Sequence, residues 1–296
     1  MCGNRSFAPA RYGEWRLRVI PVQTPLIKPR EDAVTIILNQ IRRLGEKMEE
    51  RDVLAVASKV IATSQGRLVD LGEVEPSSEA RRLSKVYDLE PEFVEVILRE
   101  SDQIYGGVWR AILTLKRDIL IANGGADRSH SPYGTAVLWP LDPDREAESI
   151  RQRVLSEFGK KVGVIVIDSR TAPMRMGTIG VAIGVSGFRP VRDYRGEKDL
   201  YGRELRITRS AVADDLASVA HLVMGESAES IPAVLIKGAP IELADTIDPE
   251  AAVISPEQCL FMKIFRPRPL KIKARADISS EEPPIAGPVK KMIEKE

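Results

Sequence analysis

The sequence predicts a mixed α/β fold, and three observations support this class. A run of apolar residues at 162–168 (VGVIVID) is typical of a strand that is buried on both faces, and it ends in a carboxylate. A second short apolar run, residues 233–237, predicts another buried strand. Between such strands, apolar residues recur at intervals of three and four, as they do on the buried face of a helix.

The first part of the chain predicts an extended start, a helix, a strand, a polar loop and a pair of short helices. In that order, they fall at residues 16–22, 34–48, 52–58, 63–67 and 78–99. In the first helix, Ile37 and Ile41 are spaced to share one face. The last helix begins at Pro91, where the missing backbone N–H costs nothing because the first turn has no acceptor for it.

The second part predicts a hairpin, a Gly-rich polar stretch, a helix and a strand, followed by a loop, a second helix and a last strand. These fall at residues 111–121, 123–130, 143–158, 162–168, 177–187, 212–223 and 233–237. The loop is inferred from Gly177, Gly180, Gly184 and Gly187, which are more often explained by tight turns or close packing than by a ligand. Gly225 is well placed to end the second helix.

Two domains follow from composition along the chain. We predict a main α/β domain over residues 1–250 and a C-terminal appendage over residues 251–296. The appendage is expected to be partly disordered, because Lys, Glu, Pro and Ser dominate from Pro269 onward and such segments bury too little apolar surface to fold.

Charge and cysteine usage limit the class of function. The 44 basic and 43 acidic residues leave no overall field to recruit nucleic acid or an anionic membrane, so a charged ligand needs a local site. This balance favours small-molecule substrates. The two cysteines form neither a disulfide framework nor a metal-binding spacing. With no signal-peptide pattern and no apolar run long enough to cross a bilayer, we predict a cytoplasmic protein.

Two carboxylates follow predicted strands and are candidates for a metal site. Asp127 and Asp168 could together hold Mg²⁺ or Mn²⁺ against phosphate oxygens, because hard cations prefer oxygen ligands. The alternative is that each Asp caps a local turn. Ser169 could add an oxygen to the same metal, whereas Glu226 alone is more typical of a solvated loop.

Common catalytic motifs are not present. The Gly spacing near residues 177–187 fits neither the P-loop nor the dinucleotide-binding pattern. His130 and His221 are the only histidines, and no nucleophile-elbow sequence accompanies them, so a histidine-based triad is poorly supported.

Several longer motifs carry a family resemblance. The longest is VRDYRGEKDLYGREL (residues 191–205), followed by AVADDL, MGE and IPA beginning at residues 211, 224 and 231. NGGAD, WPLDPD and GVSG, beginning at residues 123, 139 and 184, add to it in order and spacing. From about residue 21 to 238 the chain resembles the coenzyme F420:L-glutamate ligases.

The resemblance implies an activity and a set of site residues. It implies that GTP drives ligation of L-glutamate to the lactyl carboxylate of a deazaflavin precursor through an acyl phosphate, with a second γ-linked glutamate to follow. The implied cofactors are Mg²⁺ or Mn²⁺ and K⁺, and the implied assembly is an intertwined homodimer. The implied metal ligands are Asp127, Asp168, Ser169 and Glu226. The implied nucleotide contacts are Pro25, Leu26, Ile27, Ser58, Thr63, His130, Met224, Gly225, Ser227 and Ile231.

The chain also departs from the family pattern near this chemistry. Thr63 stands where the family usually has a lysine, and His130 where an asparagine is usual. Arg170 or Arg175 is a candidate to replace the missing cation, and we group Arg175 with Asp127 and Asp168 as catalytic. These departures leave two alternatives open: an amide ligase with another carboxylate acceptor, folate-like or peptide, and a non-catalytic paralogue that binds the cofactor.

Overall fold

The computed structural model describes residues 16–246 and 249–265 and shows a mixed α/β fold, which confirms the predicted class. The strands are β1 Arg18–Val22, β2 Val53–Ala57, β3 Leu68–Asp70, β4 Gln103–Val108, β5 Ala111–Lys116, β6 Ile119–Ala122, β7 Thr135–Val137, β8 Gly163–Thr171, β9 Thr178–Ser186, β10 Arg192–Asp193, β11 Arg209–Ser210 and β12 Ala233–Lys237. The α-helices are α1 Ala33–Arg43, α2 Ser58–Ser64, α3 Ser78–Tyr87, α4 Pro91–Glu100, α5 Pro143–Phe158, α6 Val212–Met224 and α7 Leu260–Phe265.

A five-stranded sheet forms the centre of the molecule, in the order β1-β12-β2-β8-β9. Only β2 and β8 are parallel, with Ala57 opposite Ile167. Their carboxyl ends therefore lie at one edge of the sheet, where Ser58 begins α2 and Asp168 continues β8. In parallel strands this edge is the usual place for ligands.

Both faces of the sheet are covered, which explains why its strands are almost wholly apolar. Leu54 and Val56 pack on one face with residues of α1 and α5, whereas Val53 and Ala55 pack on the other with residues of α6. Each fully buried Leu or Val side chain contributes about 1.5–3 kcal/mol through the hydrophobic effect. The alternation along β2 thus fixes which side chains face each helix layer.

A smaller unit packs beside this sheet. The helices α3 and α4 cover the three-stranded sheet β4-β5-β6, with Leu83, Ile97 and Ile112 in their shared core. The predicted hairpin is confirmed as β5 and β6, but the sequence reading missed β4. This unit matters for function because β6 leads directly into the polar stretch that contains Asp127.

The predicted loop at residues 177–187 is wrong, because most of it is strand β9, paired antiparallel with β8. Gly180 and Gly184 allow helices to approach this strand closely. A Cβ at Gly180 would lie 2.8 Å from the Ser218 nitrogen in α6, and one at Gly184 would lie 2.8 Å from the Asp144 nitrogen in α5. These glycines therefore serve close packing rather than turns.

Two boundaries also differ from prediction. Residues 58–64 form helix α2 rather than the end of a strand and a loop, and α1 ends at Arg43, although Met48 is still buried. The strand β8 runs past Asp168 to Thr171. Residues 266–296, which hold most of the predicted appendage, lie outside the described residues. None of the described helices combines the length and apolar character needed to cross a membrane.

Candidate functional site

A cavity of about 390 Å³ opens at the edge where β2 and β8 end. It is bounded by the chain after β1, the start of α2, and the segment between α6 and β12. All the residues predicted to contact a nucleotide line it: Pro25, Leu26, Ile27, Ser58, Thr63, His130, Met224, Gly225, Ser227 and Ile231. We call it the first cavity.

The segment from Gly225 to Ser230 is held against this cavity by specific hydrogen bonds. Gly225 ends α6 with a φ of 73°, a conformation that favours glycine. The Ser227 N–H donates to Glu229 at 2.8 Å, and the His130 ring donates from Nε2 to the Ser227 carbonyl at 2.6 Å. The Thr24 N–H donates to the Ser230 carbonyl at 3.0 Å. His130, a departure from the family pattern, thus fastens one wall of the cavity.

A second cavity, of about 420 Å³, borders the first. The two share only Asp168 and Ser169 among their lining residues. The second cavity is otherwise formed by the smaller unit, including the Gly-rich segment from Asn123 to Ser129, by the end of β8 and by Thr178 at the start of β9. A group at Asp168 is therefore reachable from both spaces.

Asp168 is the central carboxylate of the site. The Trp139 indole N–H donates to its Oδ2, and the Ser169 N–H donates to its Oδ1 at 2.8 Å. Burial raises the pKa of Asp168 to about 6, and the nearby charge of Asp127 acts in the same direction, although these hydrogen bonds oppose the rise. Trp139 itself is only 1% exposed, so the donor is rigidly placed.

Asp127 is paired with a lysine that the sequence analysis did not single out. Lys59, at the start of α2, donates from Nζ to Asp127 at 2.7 Å and to the Ser129 hydroxyl at 3.0 Å. The Ser129 N–H and hydroxyl also donate to Asp127. Burial raises the pKa of Asp127, but Lys59 and Ser129 outweigh it and hold that pKa below its usual value.

Glu226 lines the first cavity and is hydrogen-bonded to Thr178, which lines the second cavity. The Thr178 hydroxyl donates to it at 2.7 Å, and His221 Nε2 lies 2.7 Å from the same oxygen. Burial raises the pKa of Glu226, but these two contacts outweigh it and lower the pKa overall. His221 also lines the first cavity, although nothing in the sequence was a reason to place it there.

The donor set suits a divalent cation in its chemistry. Asp127, Asp168 and Ser169 all border the second cavity and offer the oxygen ligands that Mg²⁺ and Mn²⁺ prefer. The negative charge of Asp127 also raises the pKa of Asp168, as expected for neighbouring carboxylates. Among the described residues, however, no three His, Cys, Asp or Glu side chains are gathered closely enough to hold a metal. The predicted metal set therefore stays a prediction.

Arg175 is not brought to these residues. It lies exposed on the turn between β8 and β9 and lines neither cavity, so its catalytic role also stays a prediction. Arg170 does line the second cavity, where it pairs with Asp214 at 3.2 Å. Lys59 was missed because helix α2 was not predicted; only in that helix does Lys59 share a face with Thr63, four residues further along.

Comparison with known proteins agrees with this site. The family model described as F420-0:Gamma-glutamyl ligase matches residues 21–238, a span that contains the lining of both cavities. The chain belongs to the F420-0:gamma-glutamyl ligase family. The resemblance seen in the sequence is thereby confirmed.

Three relatives show the extent of the likeness, and each is named coenzyme F420:L-glutamate ligase. The protein from Methanopyrus kandleri is 39% identical over 250 residues, which are 83% of this chain and 97% of the relative. That from Archaeoglobus fulgidus is 40% identical over 224 residues, 75% of this chain and 88% of the relative. That from Methanococcus maripaludis strain S2 is 42% identical over 227 residues, which are 76% of this chain and 90% of the relative.

Proposed function

We propose that this member of the F420-0:gamma-glutamyl ligase family ligates L-glutamate to the lactyl carboxylate of F420-0 at the expense of GTP. The names of its relatives support the glutamate ligation. The observation that carries the proposal is the meeting of two cavities at Asp168 and Ser169. A ligase needs two such spaces, one for the phosphoryl donor and one for the acceptor.

The proposed chemistry has two steps. The acceptor carboxylate attacks the γ-phosphorus of GTP, the bond to the bridging oxygen breaks, and GDP leaves with that electron pair. The glutamate amine then attacks the acyl phosphate carbon, the C–O bond breaks, inorganic phosphate leaves, and the amine loses a proton. Positioning and charge neutralisation provide most of the acceleration in such reactions.

The residues of the site fit these tasks. Pro25, Leu26 and Ile231 give the first cavity apolar walls for the base and sugar, and Ser58 and Thr63 offer hydroxyl groups. Lys59 places a cation between the cavities, four residues from the position where the family lysine is missing. Asp127, Asp168, Ser169 and Glu226 would hold Mg²⁺ or Mn²⁺, which when bound neutralises the phosphoryl oxygens. A requirement for K⁺ is part of the same proposal.

We also propose a cytoplasmic homodimer. The segment at residues 191–210 carries Leu200, Tyr201 and Ile207, which are each at least 84% exposed. Large apolar side chains grouped on one segment are typical of an interaction surface. Light scattering coupled to size exclusion should give a dimer mass, and charged substitutions at these three positions should shift it towards a monomer.

Mass spectrometry tests the function directly. The purified protein is incubated with GTP, Mg²⁺ or Mn²⁺, K⁺, L-glutamate and F420-0, and a mass gain of one or two glutamyl units with GDP release is expected. GDP without glutamylated product would redirect the proposal to another carboxylate acceptor. Neither product nor GDP would favour a non-catalytic binding protein, the alternative suggested by Thr63.

Substitution of Asp168 tests the metal assignment. In Asp168→Asn the shape of the side chain is kept and its charge is lost, so affinity for the nucleotide in the presence of Mg²⁺ should fall, by about tenfold for one charge-assisted contact. Titration of each protein with the nucleotide, with and without Mg²⁺, separates an effect on metal binding from an effect on a direct contact between Asp168 and the nucleotide. Equal Mg²⁺ dependence in both proteins would refute the assignment.

A further inference from the structure

The second cavity has an apolar floor and a charged wall. Leu89, Phe93 and Ile121 are buried and provide the floor. Three arginines, Arg110, Arg128 and Arg170, also line the cavity. A pocket with an apolar base and a few placed cations suits an organic anion with a flat or apolar body.

The charge pairing of the arginines is unequal. Arg128 is paired with Glu90 and also lies over the Phe93 ring, at 5.0 Å from its centroid. Arg170 is paired with Asp214. Within the described part of the chain, Arg110 has no carboxylate partner; its guanidinium lies 5.6 Å from the centroid of the Trp109 ring. Of the three, Arg110 is therefore the cation available to a ligand.

The backbone at Arg110 forms a tight turn. It turns the chain from β4 to β5 with a φ of 59°, and its N–H donates to the Tyr87 carbonyl at 2.7 Å. Turns of this kind favour Gly, Asn or Asp, because other side chains are strained in the left-handed region. Arg30, Arg51 and Arg117 also have a positive φ, so this conformation fixes where the Arg110 side chain leaves the turn but does not by itself mark the residue as functional.

The position of the cavity gives the ligand its role. In phosphoryl transfer the attacking and leaving oxygens lie roughly in line on either side of phosphorus. With GTP in the first cavity, the attacking group must reach Asp168 and Ser169 from elsewhere, and the second cavity is the space that meets these residues.

We propose that the second cavity binds the anionic acceptor, and that Arg110 holds one of its acidic groups while the floor formed by Leu89, Phe93 and Ile121 receives its apolar body. This inference rests on the proposed ligase function for the identity of the acceptor, which is F420-0. It assigns acceptor binding to the smaller unit and nucleotide binding to the edge of the central sheet.

The variant Arg110→Asn tests the proposal with little risk to folding, because Asn tolerates the left-handed backbone. Arg51→Asn is the matched control: Arg51 is also exposed, has a φ of 68° and lines neither cavity. Two measurements are made on each protein: equilibrium dialysis with F420-0 alone, and steady-state ligation with F420-0 and GTP varied in turn.

We expect Arg110→Asn to weaken F420-0 binding and to raise its KM by about tenfold, the value of one charge-assisted hydrogen bond. The KM for GTP and the behaviour of Arg51→Asn should match the wild type. If wild type ligates and Arg110→Asn leaves both F420-0 values unchanged, the proposal is overturned. If Arg110→Asn weakens dialysis binding but wild type makes no product, acceptor binding stands and the ligase function fails. Wild type that neither binds nor ligates F420-0 would overturn both.

Discussion

Replacing Gly125 by alanine should displace Trp139 from Asp168. Gly125 has a φ of 70°, and a Cβ added there would lie 2.5 Å from Trp139 Cε2 and 2.6 Å from Cδ1. Atoms cannot approach this closely, and Trp139 is buried on all sides, so the indole must shift or the backbone must deform. The indole N–H that donates to Asp168 would move with it.

The expected cost has two parts. Alanine in the left-handed region costs about 1–2 kcal/mol, and overpacking a dense core costs about 1–3 kcal/mol. Gly134→Ala isolates the first part, because Gly134 has a φ of 80° and nothing lies within 4 Å of an added Cβ. Gly125→Ala should therefore be about 1–3 kcal/mol less stable than Gly134→Ala in urea unfolding.

Activity provides the second readout. Loss of a hydrogen bond to a charged group is worth about 1.5–3 kcal/mol, so kcat of Gly125→Ala should fall by roughly tenfold or more while that of Gly134→Ala stays near wild type. Equal stability and equal kcat in the two variants would refute the close packing of Gly125 on Trp139. A destabilised Gly125→Ala with wild-type kcat would keep the packing and refute the positioning of Asp168.

Two further predictions concern charges. Lys59→Met keeps the aliphatic stem but removes the cation, so the KM for GTP should rise by about tenfold; an unchanged KM would show that Lys59 only neutralises Asp127. The second concerns Glu148, whose pKa is lowered from 4.5 to about 2, first by its hydrogen bond with Arg151. A lowered pKa stabilises the fold above pH 4.5, and this is lost as the pH falls towards about 2. In urea unfolding, Glu148→Gln should therefore lower the free energy of unfolding by about 1 kcal/mol at pH 7, after allowance for solvent screening, and by less at pH 3. An equal loss at both pH values would contradict this prediction.

Helices and strands could be predicted where their own residues show an apolar run or a helical spacing. The apolar run that became β8 and the helical spacing of α5 needed no partner to be recognised. Strand β9 was missed because Gly180 and Gly184 are typical of turns, and only the nearness of α6 and α5 explains them. Helix α2 was missed because its N-cap is Ala57, which provides no side-chain capping signal, and a β-branched strand precedes it.

The site was predictable in part, for a different reason. The residues that line the first cavity were predicted from family motifs. Such motifs identify residues that act together, but they do not show how these residues contact one another. A single sequence carries no comparable signal for a contact between side chains that are far apart along the chain. Lys59 and Asp127 are 68 residues apart, and Trp139 and Asp168 are 29 apart, so neither contact could be predicted from spacing.

The support behind Trp139 explains why Gly125 is the best place to perturb Asp168. Arg67 donates to the Trp139 carbonyl at 3.2 Å, Lys116 Nζ lies 5.3 Å from the centroid of the Trp139 ring, and both cations bind Glu100. Removing one member of such a partly buried ion network leaves a charge without its partner and costs about 3–5 kcal/mol. Variants of Glu100 or Lys116 would therefore combine a loss of folding stability with a loss of positioning, whereas Gly125→Ala removes no charged group and acts directly on the indole that the network supports.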